Sequence, residues 1–464
     1  MRACLVVAAL LYGGVASAQE RSEEELFGKE SDEKAKEPQK PPGAPPDARD
    51  GEDQDGKRLM ETFVPKDILS DKLQIGGLVY MQLGWSFTDG DSLVDHPLSS
   101  PNFVDLYLDA NPTDRLRAFV RGRLKYDPTI DTAVTSPILA ATGSTPKQVD
   151  VLLDEFWLKF DVGRAMFVTL GQQKVKYGAT RIWNPVDVIN ATRRDPFAPF
   201  DSRPGVPMLK LHFPVESLGW NFYLLGLLDK VTSLDRAGAA GRVEMPWSCD
   251  TCKTDFTGEA GVVGAYRKLE TGHFGKLGVD LSMAIWDIDL MSEVGLTFDD
   301  ASTPTVQVSS AVSYTWKYSE KDSMTFGLEY LYNEVGFQGG DGQALAALVN
   351  RKAQSLYLGQ HYVGGFLLLP RPGNADLWTF TLTGIGNLSD HSGMIRFDAS
   401  VQALTYLSVQ LYVAGHLGDQ GELRFGPESF GPPDKLPAPL NVLFPTFIKN
   451  TQVLDVGLYL RLDI

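Results

Sequence analysis

From Leu73 onward the chain alternates apolar and polar residues with a period of two. Leu73, Ile75, Gly77, Val79, Met81, Leu83, Trp85 and Phe87 share one face, and Gln74, Gly76, Tyr80, Gln82, Gly84, Ser86 and Thr88 share the other. Successive strand side chains point to opposite faces, so this spacing predicts a strand with one apolar and one polar surface. Comparable runs recur at 102–110, 115–126, 149–160, 165–176, 207–214, 219–229, 256–269 and 275–287. They continue at 305–318, 323–335, 354–369, 376–388, 393–403, 405–416 and 450–463. The expected fold is all-β: a transmembrane antiparallel β-barrel of about sixteen strands (about 16–18), apolar outside and polar inside.

The connections support this reading independently. Short links at 111–114, 161–164, 216–218, 270–274, 319–322, 371–375 and 403–404 alternate with longer ones at 127–148, 177–206, 230–255, 288–304, 336–353 and 417–449. The link at 389–393 is brief where a long one is due. Membrane barrels pair tight periplasmic turns with extended outer loops, whereas a soluble sandwich has no reason to alternate. This parity places both chain ends on the periplasmic side. The last strand closes the pattern: Leu454, Val456, Leu458, Leu460, Leu462 and Ile464 form an apolar ladder opposite Val453, Asp455, Gly457, Tyr459, Arg461 and Asp463. Aromatic residues near strand ends (Trp85, Phe87, Trp157, Trp220, Trp286, Tyr314, Trp316 and Trp378) suit interfacial girdles.

The N-terminus adds a compartment. Arg2, the short apolar run Cys4–Tyr12 and the A-x-A pattern ending at Ala18 read as an export signal over residues 1–18. Residues 19–65 are charged and proline-rich and cannot bury enough apolar surface to fold alone, so a disordered periplasmic tail is expected there. The barrel is expected over 66–464. After loss of Cys4, Cys249 and Cys252 remain, and in an oxidising compartment a local disulfide is their natural state. The net charge of −16 across 464 residues argues against nucleic-acid binding.

Chemistry concentrates in two places. On one strand Arg115, Arg117, Arg121, Arg123 and Lys125 share a face with Phe119. Each would cost about 2–4 kcal/mol facing lipid at the bilayer midplane, so the face must line the lumen. The adjoining strands offer Asp105, Tyr107 and Asp109, and Glu155, Trp157 and Lys159. Two arrangements fit: an open cationic wall that favours anions, or a cross-strand ladder of ion pairs. The second place is the connection 177–206. It carries Arg181, Arg193, Arg194 and Arg203 with Asp187, Asp195 and Asp201, and four prolines, and it could narrow the lumen or stay at the surface. The six histidines are scattered, and no metalloprotease, nucleophile-elbow or phosphate-loop motif occurs, so no catalytic residue, metal or cofactor is expected.

Residues 149–213 resemble an outer-membrane porin pattern: an acidic-aromatic strand, a tight turn, a strand ending in G-Q/R-Q, then Tyr177-Gly178 and the N-P-x-D-x-x-N stretch Asn184–Asn190. The resemblance is to the broad group containing phosphate-selective porins and alginate-export barrels. Gly171-Gln172-Gln173 stands where G-R-Q is common, and Ala191 follows Asn190 where proline is common. The terminal ladder resembles the signal read by the barrel-assembly machinery, with Ile464 in place of the usual Phe. The likeness implies an outer-membrane channel for passive diffusion of small hydrophilic solutes, with some preference for anions, surrounded by lipid and compatible with oligomers. Export of an acidic polysaccharide, or a barrel serving as anchor for an envelope complex, are the alternatives.

Overall fold

The computed structural model describes residues 72–89, 98–130, 147–190, 195–198, 203–229, 237–248, 256–269, 272–299, 303–338, 356–419, 421–424, 430–431, 447–448 and 451–464. Within them eighteen long strands form one antiparallel sheet. In chain order they are β1 (Leu73–Thr88), β2 (Asn102–Thr113), β3 (Leu116–Tyr126), β4 (Val149–Val162), β5 (Met166–Gln173) and β6 (Val206–Val215). Next come β7 (Trp220–Leu227), β8 (Gly238–Ser248), β9 (Phe256–Leu269), β10 (Gly272–Ile285), β11 (Ile288–Asp299) and β12 (Thr305–Lys317). The last six are β13 (Ser323–Asn333), β14 (His361–Pro370), β15 (Trp378–Asn387), β16 (Ser392–Leu404), β17 (Leu407–Gly418) and β18 (Gln452–Asp463). Each strand pairs with its sequence neighbour. β1 also pairs with β18, from Leu78 opposite Asp463 to Phe87 opposite Leu454, and this closes the barrel.

Two strands lie inside stretches that sequence patterning assigns to connections. Gly238–Ser248 falls within 230–255 and Ile288–Asp299 within 288–304. Their insertion moves one link. β9 and β10 are joined at the end of the barrel that carries the long loops, whereas the short link at 270–274 is expected at the turn end. The turn-end hairpin is Trp286-Asp287, between β10 and β11. From β12 onward the expected sidedness returns.

Burial is inverted relative to a water-soluble protein. Met81, Leu106, Val151, Leu277 and Leu328 point outward and are exposed, while Asp105, Asp154, Arg242, Glu293, Glu329 and Arg396 point inward and are buried. An apolar surface on this scale is the signature of lipid contact. At the turn end Trp286, Tyr314, Trp316, Tyr318, Trp378 and Tyr406 are exposed on the outer face, where an interfacial girdle sits. Trp157 is not in it: it faces the lumen and stacks on Phe119 at 5.4 Å. The export signal, the tail 19–65, Arg193, Arg194, Cys249 and Cys252 lie outside the described residues.

Candidate functional site: an inserted loop and the wall it faces

The arginine-rich strand β3 is neutralised by its neighbours. Arg123 is clamped by both carboxylate oxygens of Asp105 at 2.6 Å and lies 3.4 Å from Asp154. Arg117 takes both oxygens of Asp109, at 2.9 and 2.5 Å. Arg121 pairs with Glu155 at 3.2 Å, and Arg115, at the turn rim, with Asp161 at 2.7 Å. Of the two arrangements compatible with the sequence, the lumen holds the ladder of cross-strand ion pairs. Lys125 is exposed near the loop end, and Lys159 lies over the Phe167 ring at 5.7 Å.

A bulge makes the ladder possible. In the β3–β4 register Arg121 faces Glu155 and Gly122 faces Leu153, so Asp154 is an extra residue. Strand alternation would send one of two consecutive acids to the lipid face, and a bulge removes that alternation locally. Asp154 is fully buried and also holds Lys174 at 2.8 Å. The guanidiniums sit against ring faces as well: Arg121 over Phe119 and Tyr107, Arg117 over Trp157, and Arg123 over Phe103. Such contacts add about 0.5–2 kcal/mol each and hold the charges in place. The stack continues across the closing seam, from Phe103 to Tyr80, Tyr459 and Tyr412, with Arg396 over Tyr412 at 4.0 Å.

The connection between β5 and β6 folds into the barrel. Val175, Tyr177, Val186, Val188 and Ile189 pack on Met208, Leu225, Leu227, Ala240 and Val263 of β6–β9. Ile182 and Trp183 pack with Leu331, Tyr362 and Ile385 of β13–β15. Farther along, Phe197 reaches the Arg396 guanidinium on β16 at 5.8 Å. These contacts line the inner wall from β6 to β16. Among the described residues they leave the arc from β17 through β18 and β1 to β3, with its tyrosines and paired arginines, facing the lumen.

Two wall carboxylates grip the loop by its backbone. Glu329, on β13, accepts from the N–H groups of Arg181, Ile182 and Trp183 at 3.1, 3.0 and 2.8 Å, and from the Ser309 hydroxyl. Glu293, on β11, accepts from Thr180 N–H at 2.7 Å, the Thr180 hydroxyl at 2.6 Å and Val186 N–H at 3.1 Å. A loop placed inside a barrel must satisfy its own polar backbone, and these two acids do so. Asp187 bonds Asn190 and pairs with Arg203 at 3.0 Å, and Asp195 caps Phe197 N–H at 2.9 Å. Neither Glu293 nor Glu329 stands out in the sequence. The available signal is indirect: lumen-facing glycines lie under the loop.

Gly295 and Gly364 are such positions. A Cβ on Gly295 would lie 2.6 Å from the Pro185 carbonyl oxygen, and one on Gly364 would lie 2.5 Å from Ile182 Cδ1. Backbone cannot yield as a methyl end can. The substitution Gly295→Ala is therefore expected to weaken loop docking by about 1–3 kcal/mol. Faster trypsin cleavage after Arg181 in the folded barrel measures it; unchanged protection counts against the packing described.

The loop edge facing the lumen is basic. A cleft is lined by Lys176, Arg181, Asn184, Asp187, Arg203 and Tyr357. Arg181 is exposed, lies over Phe366 at 4.8 Å and has no carboxylate partner among the described residues. The wall of β12–β16 carries Thr315, Thr325, Thr381, Thr383 and Ser400, uncharged hydroxyls suited to water.

The architecture is that of a porin-like outer-membrane barrel: a closed antiparallel sheet, a lipid-facing outer belt and a loop folded inside. Similar solved structures include OccAB4 of Acinetobacter baumannii, with 9% identity over 85% of this chain and 99% of that one, at a TM-score of 0.47. OccK11 (OpdR) of Pseudomonas aeruginosa has 11% identity over 84% and 96%, at 0.47. OmpF of Salmonella typhi, solved with daunomycin, has 10% identity over 86% and 99%, at 0.41. No family model and no curated protein matches the chain.

Proposed function

We propose that the chain is a channel of the bacterial outer membrane that passes small hydrophilic solutes by diffusion and prefers anions. The observation that carries this reading is the inserted loop, whose lumen edge presents Arg181 without a carboxylate partner among the described residues. A ring of Arg or Lys at a narrow point favours anions. Closed barrels of 16–18 strands leave room for an aqueous path. Residues 1–18 act as export signal, 19–65 as a periplasmic tail, and both chain ends lie in the periplasm, the side of the short turns. The ladder on β3 is committed to carboxylates, so it supplies no free track for an acidic polymer.

Planar-bilayer recording of the purified barrel under a salt gradient tests the reading. A stable conductance with a reversal potential on the anion side is expected. Arg181→Ala should move that potential toward zero with little change in unit conductance. A barrel that never conducts, or an Arg181→Ala variant with unaltered selectivity, sinks the reading or its anionic part respectively.

A further inference from the structure

The inserted loop is tied to two other connections. Trp183 is fully buried in one cluster with Tyr362 and Ile385 of the wall, Leu356 and Leu423. Leu356 belongs to the β13–β14 connection. Leu423 belongs to a short 3-10 turn, Glu422–Arg424, in the β17–β18 connection. Trp183 Nε1 donates to the Leu356 carbonyl at 3.0 Å, and Asn184 N–H donates to the Tyr357 hydroxyl at 3.0 Å. Beside this cluster lies the Glu422 carboxyl group. It accepts from the Leu356 N–H, from the Tyr362 hydroxyl on β14, and from Asn387 Nδ2 on β15 at 3.0 Å. The Glu422 N–H donates to Asp390 Oδ2 at 2.8 Å, and Asp390 also accepts from the Ser392 hydroxyl and from Asn387. One carboxyl group therefore joins two loop segments to two barrel strands.

We propose that this hub is a proton-operated latch: Glu422 holds the constriction loop and the segments at Leu356 and Leu423 as one plug, tight when it is protonated and looser once it ionises. The proposal rests on reading the inserted loop as the constriction. Glu422 is buried beside a second acid, so its charged form is disfavoured in the latched state. Burial, with Asp390 adding to it, pushes its carboxyl from 4.5 up to about 7, against the bonds from Tyr362 and Leu356. The other groups nearby do not neutralise it. His416 bonds the Leu423 carbonyl and, at 2.9 Å, Asp455. Arg424 turns onto Gly418, Thr451 and Gln452.

The sign follows from linkage. The latched state holds its proton up to about pH 7, whereas a released, solvated carboxyl loses it near 4.5. The latch is at full strength below the lower value and weakens about tenfold per pH unit up to the higher one.

The test uses the full chain in planar bilayers at about pH 4.5 and about pH 8, the two sides of that window. A quiet, smaller conductance is expected in acid and a larger, fluctuating one in alkali. Glu422→Gln should be quiet at both. Asp390→Asn keeps the carboxyl but removes the neighbouring charge, so its pH step should shrink. Amide hydrogen exchange around Trp183 and Leu356, corrected for the intrinsic effect of pH, reads the latch without requiring conduction. Protection should fall in alkali in the native chain and persist in Glu422→Gln. A Glu422→Gln variant that keeps the native pH step, or native protection that is equal at both pH values, overturns the latch. Protection that changes with pH in a barrel that never conducts supports the latch and overturns the pore reading instead.

Discussion

Substituting both Glu293 and Glu329 by alanine is expected to free the inserted loop and, in the channel proposed above, to raise the unit conductance and abolish anion preference, while the barrel stays folded. Glu329 alone satisfies three consecutive backbone N–H groups, and Glu293 satisfies two more together with the Thr180 hydroxyl. A buried donor left without a partner costs about 1–3 kcal/mol. The pair of substitutions therefore removes several kcal/mol from loop docking. The strand ladders on either side of Glu293 and Glu329 are main-chain bonds and do not depend on these side chains. Heat-modified electrophoretic mobility should accordingly remain native, with trypsin now cutting after Arg181. An unchanged conductance with full protease protection would show that the two apolar clusters around Val186 and Trp183 suffice by themselves.

The second large effect lies on the ladder. Arg123→Ala is expected to destabilise the barrel by about 3–5 kcal/mol, because it strands Asp105 in a buried site and leaves Asp154 to Lys174. Arg117→Ala on the same face is expected to cost less, about 1–3 kcal/mol, since it leaves one buried carboxylate, Asp109, where Arg123 holds two, and the removed side chain is 47% exposed, so water enters beside it. Urea unfolding of the two variants side by side measures the difference. Equal costs would mean that Arg123 is better solvated than its 2% exposure implies.

Where alternation is strict, the fold is readable from the residues. β1 keeps a hydrophobic outer face over its whole length, and β18 ends on an unbroken aliphatic ladder, so both stand out. β8 does not, because its outer face begins Ala239, Gly241, and small residues carry almost no periodic signal. β11 has a regular outer face, but the hairpin leading into it carries no Gly, Asn or Pro. Trp286 instead adopts a left-handed backbone at φ 55°, a conformation that bulky residues rarely take. The site divides along the same line. The lumen orientation of β3 follows from the cost of cations in lipid, which is local. The grip of Glu329 on residues 181–183 joins segments nearly 150 positions apart, and no spacing rule announces it.

The seam between β1 and β18 also bears on how the chain comes to be made. It joins the first strand to the last, so the loop-closure entropy it must overcome is that of the whole barrel. Until β18 has been synthesised, β1 and β17 each present a row of unpaired main-chain groups, which a bilayer does not tolerate. Insertion cannot proceed strand by strand from the N-terminus. It waits for the last twelve-residue strand, and until then the nascent sheet is an aggregation hazard that something else in the cell must shield.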